Sequence, residues 1–363
     1  MKATLVVLNE PDFLQNGIFS DRPINGVKNY GYMFAELRRQ LAEAGIDIAT
    51  QDIHPPQESQ LVIGLDEVSF FQNYKRRPGQ KLYLLLNEPA TYYPEVWNPA
   101  NHRVFDRIFT YDYTLADGKK YIHHYFAIDL DGYAPFPHVT EEDFNRRKLL
   151  VLMAGMFQFT PAAPGSNSLL YTRYRTLRWF GKHMPQQFDF YSRGIADNLY
   201  RSFQGLGLLQ RILPRFASDW VADRIAARRR RVVESLNRGP VRPNDKLKVL
   251  QRYRFVVSYE NTRLPGYISE KLFDCLFAGC VPVYLGEPHI ERFVPKECFI
   301  NRRDFTDDAA LGAFLERMPY TEYARYLEAM RNFAQGIERQ KFGSEANARR
   351  VSDVILADLG QLV

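Results

Sequence analysis

Residues 255–284 read FVVSYENTRLPGYISEKLFDCLFAGCVPVY, and the order of elements along this stretch decides the fold. Phe255–Ser258 is a short apolar run of strand type. Glu260–Gly266 supplies acid, amide, hydroxyl, proline and glycine, the composition of a loop. Ile268–Phe277 repeats apolar residues at helical spacing, and Val281–Leu285 returns to strand. Strand, polar loop, helix, strand is the repeating unit of a parallel α/β sheet. In such sheets ligands collect where strands end and helices begin. That junction carries Tyr267, Ser269, Glu270 and Lys271. A helix N-terminus favours anions and a lysine in its first turn adds charge, so the junction suits a diphosphate.

The same rhythm extends to both sides. Thr4–Leu8, Ile46–Ala49, Leu61–Leu65 and Lys81–Leu86 read as strands. Tyr30–Ala44 is an amphipathic helix ending near Gly45, and Phe105–Tyr111 follows a short helical turn. A break at Gly132–Arg147 contains Pro135, Pro137 and mixed charge. The rhythm restarts with Leu149–Ala154, a helix over Tyr171–His183 and a strand over Phe188–Tyr191. A basic helical insertion follows, then a helix over Lys246–Arg254 that leads into the quoted stretch. Beyond it, Phe299–Ile300 reads as a strand, and Ala309–Met318, Thr321–Gln335 and Ser344–Leu362 as helices. The expectation is an α/β chain of two Rossmann-like domains with a cleft between them. They span 1–145 and 146–340, and a C-terminal helix in 341–363 packs back on the first domain.

A chain of 363 residues is too long for one typical domain and fits two. An apolar fraction of 45% and an aromatic fraction of 14% are enough to build both cores. No apolar run spans a bilayer. The opening MKATLVVLNEPDF reads as a buried first strand rather than a signal peptide. The expected location is therefore the cytoplasm. Cys275, Cys280 and Cys298 give no disulfide framework and no CxxC, so they read as small buried hydrophobes. Asp129-Leu130-Asp131 matches a three-residue metal motif, but its surroundings suit a loop. His123-His124 lacks a third ligand at metal spacing and reads as a strand with one buried and one exposed histidine.

The net charge of +6 is concentrated in Arg224–Arg238, RIAARRRRVVESLNR, just after the apolar and basic Tyr200–Phe216. No aromatic residues interleave these arginines, which argues against a nucleic-acid platform. Two readings of Tyr200–Arg238 stay open. One is a solvated helix face. The other is a surface resting on anionic lipid, where each basic residue adds about 1 kcal/mol. The second would place the protein peripherally on the inner membrane face.

Glu260-Asn261-Thr262, then Gly266-Tyr-Ile-Ser-Glu-Lys-Leu272, then Ala278-Gly-Cys-Val-Pro-Val-Tyr-Leu-Gly286 resembles the signature of the family 10 glycosyltransferases. These are the α-1,3/4-fucosyltransferases, here of bacterial type. The usual form has Val and Thr where Ile268 and Ser269 stand. The resemblance is clear over Lys246–Phe305 and weaker elsewhere. It implies the GT-B architecture, with acceptor on the first domain and donor on the second. It implies GDP-fucose as donor, a glycan hydroxyl as acceptor and inversion at the sugar carbon; Lys271 and an arginine can supply the positive charge a metal would give, so no metal is required. The acceptor it suggests is GlcNAc in a surface polysaccharide, fucosylated at the 3-position, with roles in polysaccharide biosynthesis or protein glycosylation.

Inverting sugar transfer needs a base for the acceptor hydroxyl and cations for the departing diphosphate. Lys81–Leu86 ends in Asn87-Glu88-Pro89. A carboxylate at such a strand end, partly buried, has its pKa moved toward neutrality. The family carries a proposed base in a Glu-Ser-Pro-like context, and Glu88 stands at that place. A glutamate that merely caps the loop is the plainer alternative, and Glu95 is the fallback base. For the diphosphate, the resemblance assigns Lys271. It also implies an arginine opening a helix after a Ser/Asn loop. Ser166–Arg175 offers Arg173, favoured by its spacing to Leu177 and Phe180, with Arg175 as the close alternative. Glu270 would accept from fucose hydroxyls or balance positive charge. Asn261 and Tyr267 would meet nucleotide or sugar. Glu260 either joins them or structures the loop, and Ser269 belongs to the same junction. Pro265 and Gly266 set a turn, while Gly279, Pro282 and Gly286 punctuate the fold. The rivals are a GT-B transferase for another nucleotide sugar, a non-catalytic glycan or nucleotide binder, and a nucleic-acid binder. The last leaves Tyr267–Lys271 unexplained.

Overall fold

The computed structural model describes residues 1–20, 24, 30–157, 167–195 and 215–360, and only the backbone of 215–222. The first sheet contains β1 (Lys2–Val6), β2 (Asp47–Thr50), β3 (Leu61–Leu65), β4 (Lys81–Leu85), β5 (Arg107–Thr110) and β6 (Tyr121–His123). The six strands are ordered β2-β1-β3-β4-β5-β6 and all pair in parallel. β1, β3 and β4 are buried on both faces, which explains their continuous apolar runs. Helix Tyr32–Glu43 covers one face with Met33, Phe34, Leu37 and Leu41. Gly45, at φ +75°, then turns the chain into β2.

Helix Ser344–Asp358 belongs to the same layer. It adds Ala348, Val351 and Ile355 to that core. Ser352 donates to Gln40 Oε1 at 2.8 Å. Asp358 accepts from Arg107 Nε at 2.8 Å and from the Tyr83 hydroxyl at 2.7 Å. Two polar tethers thus fix the helix along its length.

The second sheet contains β7 (Lys148–Phe157), β8 (Phe188–Ile195), β9 (Tyr253–Tyr259), β10 (Val281–Leu285) and β11 (Ile300–Asn301). Its order is β11-β10-β9-β7-β8, again all parallel. The helix expected over Lys246–Arg254 stops at Leu250, and strand begins at Tyr253. Tyr253 is in register with Lys148 of β7, so strand pairing claims Tyr253 and Arg254, the last residues of the expected helix. The helix expected from Ile268 starts at Glu270. The basic insertion contains helix Arg215–Leu236. Residues 200–214 of the lipid-surface reading lie outside the described residues.

Contacts divide the chain into two compact units. The first is Met1–Ala134 with Leu264–Ser269 and Gly336–Val363, and the second is Pro135–Arg263 with Glu270–Gln335. The division at Ala134 lies upstream of the expected boundary at 145. The intervening helix Glu141–Arg146 joins the second unit because Phe144 is packed there. Its ring meets Tyr323 at 5.0 Å between centroids, and the Arg254 guanidinium lies 4.0 Å above it. Leu264–Ser269 is six residues of the decisive stretch that leave the second unit and pack in the first.

Candidate active site

Each unit carries chemistry-bearing residues at the ends of its parallel strands. In the second unit, β9 runs out into Glu260. Its N–H still donates to Leu285 O at 2.8 Å, which keeps the acid in the ladder. The Glu260 side chain is fully buried, and Oε2 lies 3.5 Å from Lys271 Nζ. Glu270 Oε1 approaches the same ammonium at 3.6 Å. Lys271 is therefore flanked by two acids in the first turn of helix Glu270–Ala278, with its side chain 24% exposed. Gly286 makes room for this arrangement. A Cβ there would lie 2.4 Å from Glu260 Cγ and 2.6 Å from the Tyr284 hydroxyl oxygen.

Arg173 reaches the same loop from helix Leu170–His183. Its Nη2 donates to Tyr259 O at 2.8 Å, Glu260 O at 2.9 Å and Asn261 Oδ1 at 3.0 Å. The start of that helix is laced to the loop as well. Leu169 N donates to Asn261 O at 2.9 Å, and Arg263 N donates to Asn167 O at 2.7 Å. Arg173, Glu260, Asn261, Glu270 and Lys271 thus form one cluster. Arg175, two positions further on, is exposed, because a step of two turns roughly 200° around a helix. Ser166 lies outside the described residues.

The remaining expected residues belong to the first unit. Tyr267 is buried, with its ring 5.1 Å from Tyr111 and 5.9 Å from Phe126 between centroids. Ser269 is fully buried. Gly266 takes φ +74°, and a Cβ there would fall 1.9 Å from Tyr111 O. Only glycine fits that turn, and the turn is what carries Tyr267 into its aromatic pocket.

Glu88 follows β4 and is half-buried. Its N–H donates to Asp66 Oδ2 at 2.9 Å, and Asn87 N donates to Oδ1 of the same carboxylate at 2.8 Å. Trp97 Nε1 donates to Glu88 O at 2.8 Å. Asn87 Nδ2 donates to the Tyr30 hydroxyl at 3.1 Å. Glu88 and Asp66 line a cavity of about 120 Å³ together with Glu10, Tyr30 and Tyr93. Burial, and then the Glu88 charge, push the Asp66 carboxyl well above its usual range. Burial followed by Glu88 and Asp66 pushes the Tyr93 phenol up to about 12. Glu95 is exposed, and its carbonyl accepts from Asn101 Nδ2 at 2.8 Å.

Sequence reasoning missed Asp66. It is the residue after β3, and β3 pairs with β4 with Leu65 opposite Leu85. A carboxylate ending the strand next to the one that delivers Glu88 was the available signal.

The two weighed motifs take structural places. Asp129 Oδ1 accepts from Gly132 N at 3.1 Å, closing a turn. His124 is fully buried, and burial lowers its pKa to about 4. His123 is half-buried on β6 rather than exposed, because its ring packs edge-on against Tyr125 at 4.7 Å between centroids. Cys275, Cys280 and Cys298 are buried free thiols. Among the described residues, no three His, Cys, Asp or Glu are grouped to hold a metal ion. No helix among them is long and apolar enough to cross a membrane.

Residues 230–348 match the profile of glycosyltransferase family 10 (fucosyltransferase), C-terminal part. Alpha-(1,3)-fucosyltransferase 7 of Rattus norvegicus is 42% identical over 87 residues, 23% of this chain and 24% of that protein. Alpha-(1,3)-fucosyltransferase 4 of Mus musculus is 42% identical over 105 residues, 26% of this chain and 24% of that protein. The match thus spans about a quarter of these relatives' length. A crystal structure of an alpha1,3-fucosyltransferase with GDP superposes with TM-score 0.52 at 16% identity, covering 99% of this chain and 90% of that one. An alpha-glucosyltransferase in complex with UDP-glucose and DNA superposes with TM-score 0.53 at 11% identity, covering 98% and 99%. The fold, two parallel-sheet α/β domains in series, is GT-B.

Proposed function

With residues 230–348 matching the profile of glycosyltransferase family 10, we propose that this chain is an inverting fucosyltransferase. It moves L-fucose from GDP-fucose to a hydroxyl of a glycan acceptor, α-1,3 to GlcNAc in a surface polysaccharide. The observation that carries the reading is the cluster at the end of β9. Lys271 stands in the first turn of a helix against Glu260, and Arg173 bonds the main chain of Glu260 and the side chain of Asn261, all inside the matched family segment or tied to it. A solved alpha1,3-fucosyltransferase holds GDP-fucose on this fold, which supports the choice of donor.

In this reading Lys271 and the helix N-terminus take the diphosphate as its charge grows, and Arg173 contributes a second cation. These side chains supply positive charge of the kind a metal would otherwise provide. Asn261 and Glu270 contact the donor, with Glu270 accepting from fucose hydroxyls or facing the oxocarbenium-like carbon. Glu88 takes the acceptor proton as the new bond forms. Glu260 holds Lys271, and Tyr267 and Ser269 fix the loop that leads to it.

Calorimetric titration with GDP, GDP-fucose, GDP-mannose and UDP-GlcNAc, with and without chelator, tests the donor on wild type and Lys271→Ala. Chelator-insensitive binding of guanine nucleotides, weakened in the variant, is expected. Tight UDP-GlcNAc binding, or no nucleotide binding, overturns the reading.

A peripheral position at the inner membrane face is a second element of the proposal. Arg224, Arg228 and Arg231 are exposed on helix Arg215–Leu236 at spacings of four and three, which sets them on one face. Flotation with anionic liposomes, comparing wild type with Arg228–Arg231 changed to Ser, measures it. Equal flotation of the two removes the membrane from the proposal.

A further inference from the structure

We propose that Asp66 is a positioning residue for Glu88, fixing the peptide that carries the base and setting a second carboxylate beside it. The inference rests on Glu88 being the base, and it lies wholly within the first unit.

The geometry is specific. One carboxylate receives two consecutive main-chain N–H groups, Asn87 at 2.8 Å and Glu88 at 2.9 Å. From the other side, the Trp97 indole N–H holds the Glu88 carbonyl at 2.8 Å. The residue is thus clamped at both of its backbone polar groups. Asp66 takes φ +47° to do this, a left-handed conformation that costs an L residue backbone energy. Its own N–H stays bonded to Leu85 O at 3.0 Å, so the turn is anchored to the end of β4. Glycine or asparagine would suit such a backbone at least as well. Neither offers two acceptor oxygens: the asparagine amide nitrogen would face a backbone N–H.

A buried carboxylate is an expensive way to hold a loop unless its charge is also used. The titratable groups facing it are Glu88, Glu10 across the cavity from the loop after β1, Tyr30 ahead of helix Tyr32–Glu43, and Tyr93 after β4. No lysine or arginine lines that cavity among the described residues. A second carboxyl beside Glu88 makes it hold a proton more tightly, which strengthens it as a base. Burial raises the Asp66 carboxyl first, and the Glu88 charge adds to it, so the two acids of the cavity act on one another.

The test is steady-state kinetics across pH on the full chain, for wild type, Asp66→Asn, Trp97→Phe and Glu88→Gln. Asp66→Asn is expected to lower kcat by about 10- to 100-fold, the cost of a misplaced catalytic group. GDP-fucose affinity by calorimetry should stay within about twofold. The acid limb of kcat/KM should move to lower pH by about half a unit or more, because a neighbouring negative charge is gone. Trp97→Phe, which removes only the other tether, should lower kcat and leave the limb in place. An Asp66→Asn enzyme with wild-type kcat overturns the inference, and so does lowered kcat with an unmoved acid limb. If Asp66→Asn does not fold, Trp97→Phe with wild-type kcat overturns the clamp. Activity retained in Glu88→Gln removes the base reading itself, which separates that failure from the failure of Asp66.

Discussion

The two strand-end clusters place charge in opposite ways. Beyond β3 and β4, acids gather: Asp66 and Glu88 share one cavity with Glu10 and two phenols. Beyond β9, cations are set among acids and carbonyls. Lys271 lies 3.5 Å from Glu260 and 3.6 Å from Glu270, and Arg173 is pinned to three oxygens of the loop. Crowded like charges make a carboxylate hold a proton more tightly, which suits a base. Cations balanced by fixed acids stay charged and stay in place, which suits a site for a diphosphate. One fold element, the carboxyl end of a parallel strand, supports both, and the side chains that follow the strand decide which it becomes.

The largest effect that would break this contrast is at Glu88. Glu88→Gln should lower fucosyl transfer by about 10³-fold, within the range for general bases. GDP-fucose binding should be nearly unchanged by calorimetry. A rate within tenfold of wild type would leave the acidic cluster without a catalytic role. Lys271→Ala comes next, with a loss of about 2–4 kcal/mol in kcat/KM and clearly weaker GDP binding. A variant that loses rate but keeps GDP affinity would move Lys271 from the ground state to the transition state alone.

Gly266→Ala sharpens the comparison from the structural side. The added Cβ meets Tyr111 O, and φ is +74°. A destabilisation of about 2 kcal/mol or more is expected, measured by denaturant or thermal unfolding. The smallest effect is at Asp358, which belongs to neither cluster. The Arg107 guanidinium, with added help from the Tyr83 hydroxyl, holds its carboxyl below the usual range despite burial. Its contribution is therefore present above the unfolded aspartate value of about 3.9 and disappears as pH falls through the lower folded value. Asp358→Asn should cost about 1 kcal/mol at neutral pH and flatten stability below pH 4, followed by urea unfolding across pH.

The alternation of strand and helix was legible because apolar periodicity is local. Val281–Leu285 and Leu61–Leu65 announce themselves as buried strands, and the Glu270–Ala278 helix follows its own spacing. Lys271 and Asn261 could be singled out because the ordered motif is contiguous. Arg173 and Arg175 could not be separated so firmly, because helix phase decides which of them turns inward. The end of the helix at Leu250 was misjudged for a related reason. Gln251-Arg252-Tyr253-Arg254 holds nothing that stops a helix, and the register with β7 makes Tyr253 a strand residue.

By itself the sequence determined two runs of α/β units, the loop and helix start that carry Glu260–Lys271, and a glutamate at the end of a buried strand. All of these follow from residues near one another along the chain. Tertiary structure alone decided that Leu264–Ser269 packs with the first unit while its neighbours on either side pack with the second. It also decided that Asp66 receives the N–H groups of Asn87 and Glu88, twenty-one and twenty-two residues away. Both depend on which strands become neighbours and in what register. That is fixed by burying apolar faces across the whole sheet, a cooperative choice that no single stretch of sequence contains.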